Sequence, residues 1–221
     1  MLNLIIDSST ERGLLAVLDG GVVLFEESLP FGLRSSGHLF PALEGLLRDL
    51  SLELKDFARI IVAKGPGSYT GIRVGASVAK AIAYSLSIPL LGVSTLYGFA
   101  PSGDGDFCVL IDAKVSGVYL VRGVRCGDEV TFRTEPGVCD LGDLREKLLG
   151  VKYVVTPNAK RLRPLVEAVD GLEDLALLWE ECGPSGLLYA QGVAEGVEGD
   201  DEGLELMYLR KTQAEIELGR K

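Results

Sequence analysis

The amino-acid sequence predicts an α/β fold made of two similar halves, each a mixed β-sheet flanked by helices. Short apolar runs rich in β-branched residues alternate with longer segments whose apolar residues recur at helical spacing. The run Leu4-Ile5-Ile6-Asp7 is matched in the second half by Val109-Leu110-Ile111-Asp112, and a similar series of elements follows each run. We interpret this repetition as an internal duplication.

The first half opens with a strand that ends in Asp7. Its second and third strands are separated by Asp19-Gly20-Gly21, a strong hairpin signal. The predicted elements of this half are strands at residues 2–6, 13–18 and 22–29, a helix at 36–50, a strand at 59–63, a helix at 71–86, a strand at 89–92 and a short helix at 94–100.

The second half repeats this order after a linker rich in Pro, Ser, Gly and Asp at residues 101–106. Its predicted elements are strands at residues 107–112, 118–123 and 129–134, a helix at 141–149, a strand at 153–156, a helix at 158–169, a strand at 174–178 and a helix at 184–194. Two such halves side by side make the actin-like fold, also called ASKHA or ribonuclease H-like. We predict subdomains at residues 1–103 and 104–221.

The residues after 194 differ from both halves. An acidic run between residues 195 and 202 predicts a solvated loop. The apolar residues 206–209 that follow it are expected to dock back onto the body of the protein.

Charge and composition narrow the function classes. The 221 residues carry a net charge of -10, so a fold whose main task is to bind a phosphate backbone is not expected. Four cysteines without a CxxC pair, and a start without a signal peptide, predict a cytoplasmic protein with reduced thiols. Because His38 is the single histidine, an HExxH zinc site cannot form, and neither a metal nor a cofactor is expected.

The strongest local motif is the glycine-rich loop at residues 65–71, between a predicted strand and a predicted helix. Backbone amides at such a helix start can bind an anion, which makes Gly67, Ser68, Thr70 and Gly71 candidate anion-binding residues. The loop is not a Walker A motif, and glycine-rich turns are commoner than phosphate sites. The sequence alone therefore favours a strand-to-helix turn over an anion site.

The helix after the loop carries Lys80 as its only charge between residues 74 and 86. Small residues on one flank, among them Ala76, Ala79 and Ala83, form a smooth surface that another helix could approach. Either the domain's own elements cover this flank or a partner protein does. We slightly favour the interpretation that a partner protein covers this flank.

Asp7 and Asp112 end the first strand of each half. In actin-like folds, aspartates at these places can face a shared cleft and the metal of a nucleotide. A small ATPase or kinase using Asp7, the loop at 65–71 and Asp112 is therefore an alternative function. The second half lacks a clear second phosphate loop, which favours aspartates that only cap the loops after their strands.

Motifs over nearly the whole chain resemble the bacterial TsaB (YeaZ) family. They are Ile6-Asp7-Ser8-Ser9-Thr10, the loop at residues 65–75, Gly92-Val93-Ser94-Thr95-Leu96, Ile111-Asp112-Ala113 with Val118-Tyr119, His38-Leu39-Phe40-Pro41, and Tyr208-Leu209-Arg210. Lys114 and Gly117 depart from the family pattern, in which Arg and Glu are usual.

The resemblance implies a non-catalytic subunit for making N6-threonylcarbamoyladenosine at position 37 of tRNAs that read ANN codons. Such a protein is a degenerate paralogue of the catalytic subunit TsaD, which it binds and activates, and it helps to recruit the ATPase TsaE. It reaches tRNA only through that complex, and ATP with magnesium would bind only at an interface in the complex. A glycoprotease activity is not expected from a sequence with one histidine.

The resemblance also implies that the contact with TsaD, or with a second copy of the chain in a homodimer, runs through helices of the first half. The residues that this implies for the partner interface are His38, Leu39, Arg73, Ala76, Ala79, Lys80, Ala83 and Tyr84.

Overall fold

In a computed structural model, the described residues form eleven strands in two mixed sheets. The structure describes residues 1–32, 35–114, 117–194 and 204–209. The acidic run predicted as a solvated loop, and Arg210 of the C-terminal motif, lie outside these residues.

The first sheet has the strand order β3-β2-β1-β4-β5. The β1/β2 and β2/β3 pairs are antiparallel, and the β1/β4 and β4/β5 pairs are parallel. The hairpin between β2 and β3 turns at Gly20 and Gly21, whose φ angles of 55° and 89° favour glycine. The strands are β1 (Leu2–Asp7), β2 (Leu14–Asp19), β3 (Val22–Ser28), β4 (Arg59–Ala63) and β5 (Leu90–Val93).

The second sheet has the order β11-β10-β6-β7-β8, which is the order of the first sheet read from the other edge. The predicted duplication of a mixed sheet is therefore confirmed. Its strands are β6 (Gly105–Asp112), β7 (Val118–Cys126), β8 (Glu129–Phe132), β9 (Gly137–Cys139), β10 (Tyr153–Thr156) and β11 (Leu178–Glu181).

Two strands of the second sheet differ from the prediction. β9, which pairs with β7, was not predicted because three residues are too few to show a pattern. The strand predicted at residues 174–178 was placed too early, because β11 (Leu178–Glu181) lies where its residues pair with β10.

The helices lie close to their predicted positions. α2 begins two residues earlier than predicted, where the Ser68 side chain accepts a hydrogen bond from the amide of Gly71. The short helix predicted at 94–100 is a single 3-10 turn, Thr95–Gly98. The α-helices are α1 (Leu39–Asp49), α2 (Tyr69–Leu86), α3 (Leu144–Leu148), α4 (Ala159–Glu167) and α5 (Gly186–Ala194).

Three hydrophobic clusters hold these elements together. The first joins α1 and α2 to one face of the first sheet, and the third joins α3 and α4 to the outer face of the second. The middle cluster lies between the sheets and contains Tyr189 of α5, so this late helix packs on the first sheet. The subdomain boundary between residues 103 and 104 stays a prediction.

The last described segment, residues 204–209, lies against the first half. Leu204 and Leu206 pack on the α1/α2 cluster, and the amide of Met207 donates to the carbonyl oxygen of Lys64 at 2.8 Å. The predicted docking of this segment is confirmed. Within the described residues, no helix is both long enough and apolar enough to cross a bilayer.

Candidate functional site

A cleft lies where the carboxyl ends of the parallel strands of both sheets face each other, the place where α/β sheets usually bind ligands. Its cavity measures about 40 Å³, whereas pockets for drug-sized ligands usually measure about 300–1,000 Å³. It is lined by residues that follow β1, β4, β6 and β10, including Ser8, Ser9, Ser68, Asp112 and Asn158. This volume is well below that of a usual ligand pocket.

Asp7 does not line this cleft. It is fully buried, and its Oδ1 accepts hydrogen bonds from the amide and hydroxyl of Ser9 at 2.7 and 2.5 Å. Its Oδ2 accepts a third from the hydroxyl of Tyr189 at 2.7 Å. Burial raises the pKa of Asp7, and these hydrogen bonds oppose the rise. The hydrogen bonds from Ser9, two residues on, are those of an aspartate that caps the loop after its strand, which is the interpretation that the sequence favours.

The glycine-rich loop is packed against the chain that follows β1. A Cβ on Gly67 would overlap the carbonyl oxygen of Ser9, and one on Gly71 would overlap that of Ser8. The amide of Ser68 donates to Ser9 at 2.6 Å, and the amide of Gly71 donates to the Ser68 hydroxyl at 3.3 Å. These two amides already have partners in the chain. The geometry therefore supports the turn over the anion site, and Thr70 is exposed beside it.

The carboxylate of Asp112 is also paired within the chain, with the guanidinium of Arg161. Its Oδ2 lies 2.7 Å from Nε of Arg161, and its Oδ1 accepts a hydrogen bond from the amide of Lys114 at 2.7 Å. The amino end of α4 also has a partner within the chain, because the carboxylate of Glu181 accepts a hydrogen bond from the amide of Ala159 at 2.8 Å.

Ion pairs cross the cleft between the halves. Arg12, after β1, pairs with Glu181 and donates to the carbonyl oxygen of Pro157 at 2.7 Å. Arg161 reaches Glu11 at 3.9 Å. Arg12, Asp112 and Arg161 are thus paired within the chain. In the described parts of the chain, no group of three or more His, Cys, Asp or Glu residues could hold a metal ion.

Two wider depressions, of about 530 and 570 Å³, lie on the described surface, and the second adjoins the cleft because it shares Asn158 and Arg161 with it. Neither is lined by Asp7, Asp112 or the loop at residues 65–71. The residues named for an ATPase or kinase therefore do not meet in a cavity of ligand size.

Half of the predicted interface residues face the protein's own core. Ala76, Ala79 and Ala83 of α2 are 4%, 0% and 5% exposed, and Leu39 of α1 is fully buried. The smooth flank is covered by the sheet, because α2 packs closely on β1 and β4. The burial of these four residues agrees with the alternative that the domain's own elements cover the flank, and their contact with a partner stays a prediction.

The opposite side of α2 is exposed. Tyr69, Arg73, Lys80 and Tyr84 follow one another at helical spacing along this side, and Tyr84 is 90% exposed. His38 is exposed in the 3-10 turn before α1. We call Tyr69, Arg73, Lys80 and Tyr84 the outer row of α2. Sequence reasoning found three of its members and missed Tyr69, which helical spacing from Arg73 would have revealed.

Comparisons with known proteins identify the family of the chain. A family model described as TsaD, tRNA N6-adenosine threonylcarbamoyltransferase, matches residues 34–168. The chain is 30% identical over 163 residues to a protein of Buchnera aphidicola from Acyrthosiphon pisum, named tRNA threonylcarbamoyladenosine biosynthesis protein TsaB; the match covers 60% of this chain and 74% of the relative. The chain belongs to the TsaB family.

Other TsaB proteins match over shorter parts. The Bacillus subtilis protein is 38% identical over 122 residues, which cover 54% of this chain and 53% of the relative. The Escherichia coli protein is 31% identical over 149 residues, covering 61% of this chain and 63% of the relative. This TsaB-family chain thus spans between about half and three quarters of the length of the curated relatives it matches.

Two solved structures from Pseudomonas aeruginosa share the TsaB-family fold over almost the whole chain. One is described as YeaZ, with a TM-score of 0.73, 20% identity and coverage of 94% of this chain and 100% of the other. The other is described as an uncharacterized protein with similarity to peptidase YEAZ, with a TM-score of 0.75, 21% identity and coverage of 95% and 99%. The predicted actin-like fold is confirmed.

Proposed function

We propose that this chain is a non-catalytic subunit in the formation of N6-threonylcarbamoyladenosine at position 37 of ANN-decoding tRNAs. In this role it binds and activates a TsaD-like catalytic subunit in the cytoplasm. The names of its relatives and the TsaD family match support a place in this modification. It reaches tRNA through the complex, which also includes a TsaE-like ATPase, and it pairs with itself when the catalytic subunit is absent.

The proposal is best supported by the exposure and composition of the outer row of α2. An exposed row of tyrosines with Arg73 and Lys80 has the composition of a protein interface, where Tyr and Arg are enriched. Tyr84 is 90% exposed and so contributes little to the fold of the isolated chain. The closed cleft and the occupied Asp7 leave this row as the better-supported contact site.

The test compares two helix-surface substitutions. Tyr84→Glu places a charge on the outer row, and Leu165→Glu places the same charge on α4, where Leu165 is 46% exposed. We expect Tyr84→Glu to weaken binding to the TsaD-like subunit by at least about tenfold. Modified adenosine formed by the reconstituted complex should fall with it. Leu165→Glu should behave as the unaltered chain, and equal binding by both variants would contradict the proposal.

Buried positions are unsuitable for this test. A charge at Ala79 or Ala83 would be forced into the core, so lost binding would report unfolding and not a lost contact.

The alternative, an ATPase or kinase, is disfavoured by the 40 Å³ cleft. Calorimetry of the isolated chain with Mg-ATP distinguishes the two functions. Heat of binding that disappears in Asp112→Asn, whose side chain lines the cleft, would support the alternative.

A further inference from the structure

The described C-terminal segment is held against α2 by contacts along its length. Leu204 is 9% exposed, and its carbonyl oxygen accepts a hydrogen bond from Nζ of Lys80 at 3.3 Å. Three residues later, Met207 donates its amide to the carbonyl oxygen of Lys64. These contacts fix the place where Tyr208 leaves the segment, at the amino-terminal end of the outer row.

Tyr208 there meets Tyr69 and Arg73. The guanidinium carbon of Arg73 lies 3.8 Å from the ring centroid of Tyr69 and 5.8 Å from that of Tyr208. Nε of Arg73 donates to the hydroxyl of Tyr208 at 3.0 Å, and the two ring centroids are 5.6 Å apart. Tyr69 and Tyr208 are 46% and 44% exposed. The cluster is therefore ordered by its own contacts while still open to solvent.

Within the part of the chain that the structure describes, the charge of Arg73 has no carboxylate partner. A guanidinium that is held on an aromatic ring loses little further freedom when it binds a carboxylate through two N–H groups. The cluster is thus preorganised for a carboxylate from another molecule.

We propose that Tyr69, Arg73 and Tyr208 form an anchor for an Asp or Glu side chain of the TsaD-like partner. Residues 204–209 are then part of the contact face, although they lie far from α2 in the sequence. This inference rests on the proposed function, and it identifies both the chemistry that the partner presents and a chain segment that completes the site.

The experiment measures the Kd for the TsaD-like subunit at low and high salt. We expect Tyr208→Ala and Arg73→Gln to weaken binding by about tenfold, as is typical of an interface hot spot. Tyr208→Phe keeps the ring and should weaken binding by only about two- to fivefold. Arg73→Gln should also reduce the dependence of Kd on salt, which a loss of packing alone would not do.

The control is Arg163→Gln on α4, an exposed arginine that lies 6.0 Å from the ring centroid of Trp179 and pairs with Glu167. It should leave both Kd and its salt dependence unchanged. Thermal melting of each variant verifies that the fold is kept.

The outcomes separate this inference from the proposed function. If Tyr84→Glu abolishes binding while Tyr208→Ala and Arg73→Gln bind within twofold of the unaltered chain, the anchor is refuted and the outer row stands. If Tyr84→Glu also binds normally, the outer row itself is refuted.

Discussion

The hydroxyl of Tyr189 offers a direct test of what holds α5 to the first sheet. Tyr189→Phe removes this one oxygen and keeps the ring in the middle cluster. The hydroxyl donates to Asp7 at 2.7 Å and lies 3.2 Å from the carbonyl oxygen of Thr95. The substitution therefore probes a buried polar contact without opening a cavity of side-chain size.

The magnitude follows from burial and partners. Asp7 and Tyr189 are both fully buried, so water cannot replace the lost donor. A buried polar group left without its partner costs about 1–3 kcal/mol, and we expect about 2 kcal/mol of lost free energy of unfolding. For a chain of this size, each kcal/mol lowers Tm by about 2–4 °C, which gives a decrease of about 4–8 °C.

Urea titration and calorimetry at pH 7 measure the effect. Tyr84→Phe is the matched control, since it removes the same atom from a side chain that is 90% exposed, and it should change stability by less than about 0.5 kcal/mol. A Tyr189→Phe variant as stable as this control would refute the reasoning, because the hydroxyl would then contribute nothing.

Two further predictions concern the same region. Burial raises the pKa of Asp7 in the folded chain, so its contribution to stability is fully present below about pH 4 and is lost as pH rises through the folded pKa. The stability of the unaltered chain relative to Asp7→Asn should therefore fall as pH rises above about 4 in urea titrations, and a constant difference would contradict it. Gly71→Ala should lower the free energy of unfolding by about 1–3 kcal/mol, because its Cβ would overlap the carbonyl oxygen of Ser8. Gly142→Ala, which has open space around it, is the control and should lower it by less than about 0.5 kcal/mol. Equal losses of stability in the two variants would show that the loop moves to accommodate the Cβ.

Most strands and helices could be predicted because their signals are local. The hairpin at Asp19-Gly20-Gly21 and the apolar run of β1 are set by neighbouring residues alone. β11 was misplaced because Leu175 and Leu177 look like strand residues but pack into the third cluster from a loop. Pairing with β10, a long-range contact, decides where that strand begins.

The sequence could not show whether the small residues of α2 pack against the sheet or against a partner protein. Its small residues indicated a close approach, and a close approach exists, but to the sheet. A Cβ on Gly75 would meet the Ser8 hydroxyl at 2.7 Å, which shows how near α2 lies to the chain after β1. The same small side chains would suit a partner helix equally well, so composition could not choose between the two.

The duplicated actin-like fold, the loop that starts α2 and the family could be inferred from the amino-acid sequence, since they depend on local pattern and motif. Which partners those residues contact depends on the folded chain. Asp7 became a buried acceptor because Tyr189, far along the chain, reaches it. Tyr208 joined Arg73 because residues 204–209 return to the first half. Contacts between distant parts of the chain depend on how the whole core packs, and no local pattern records them.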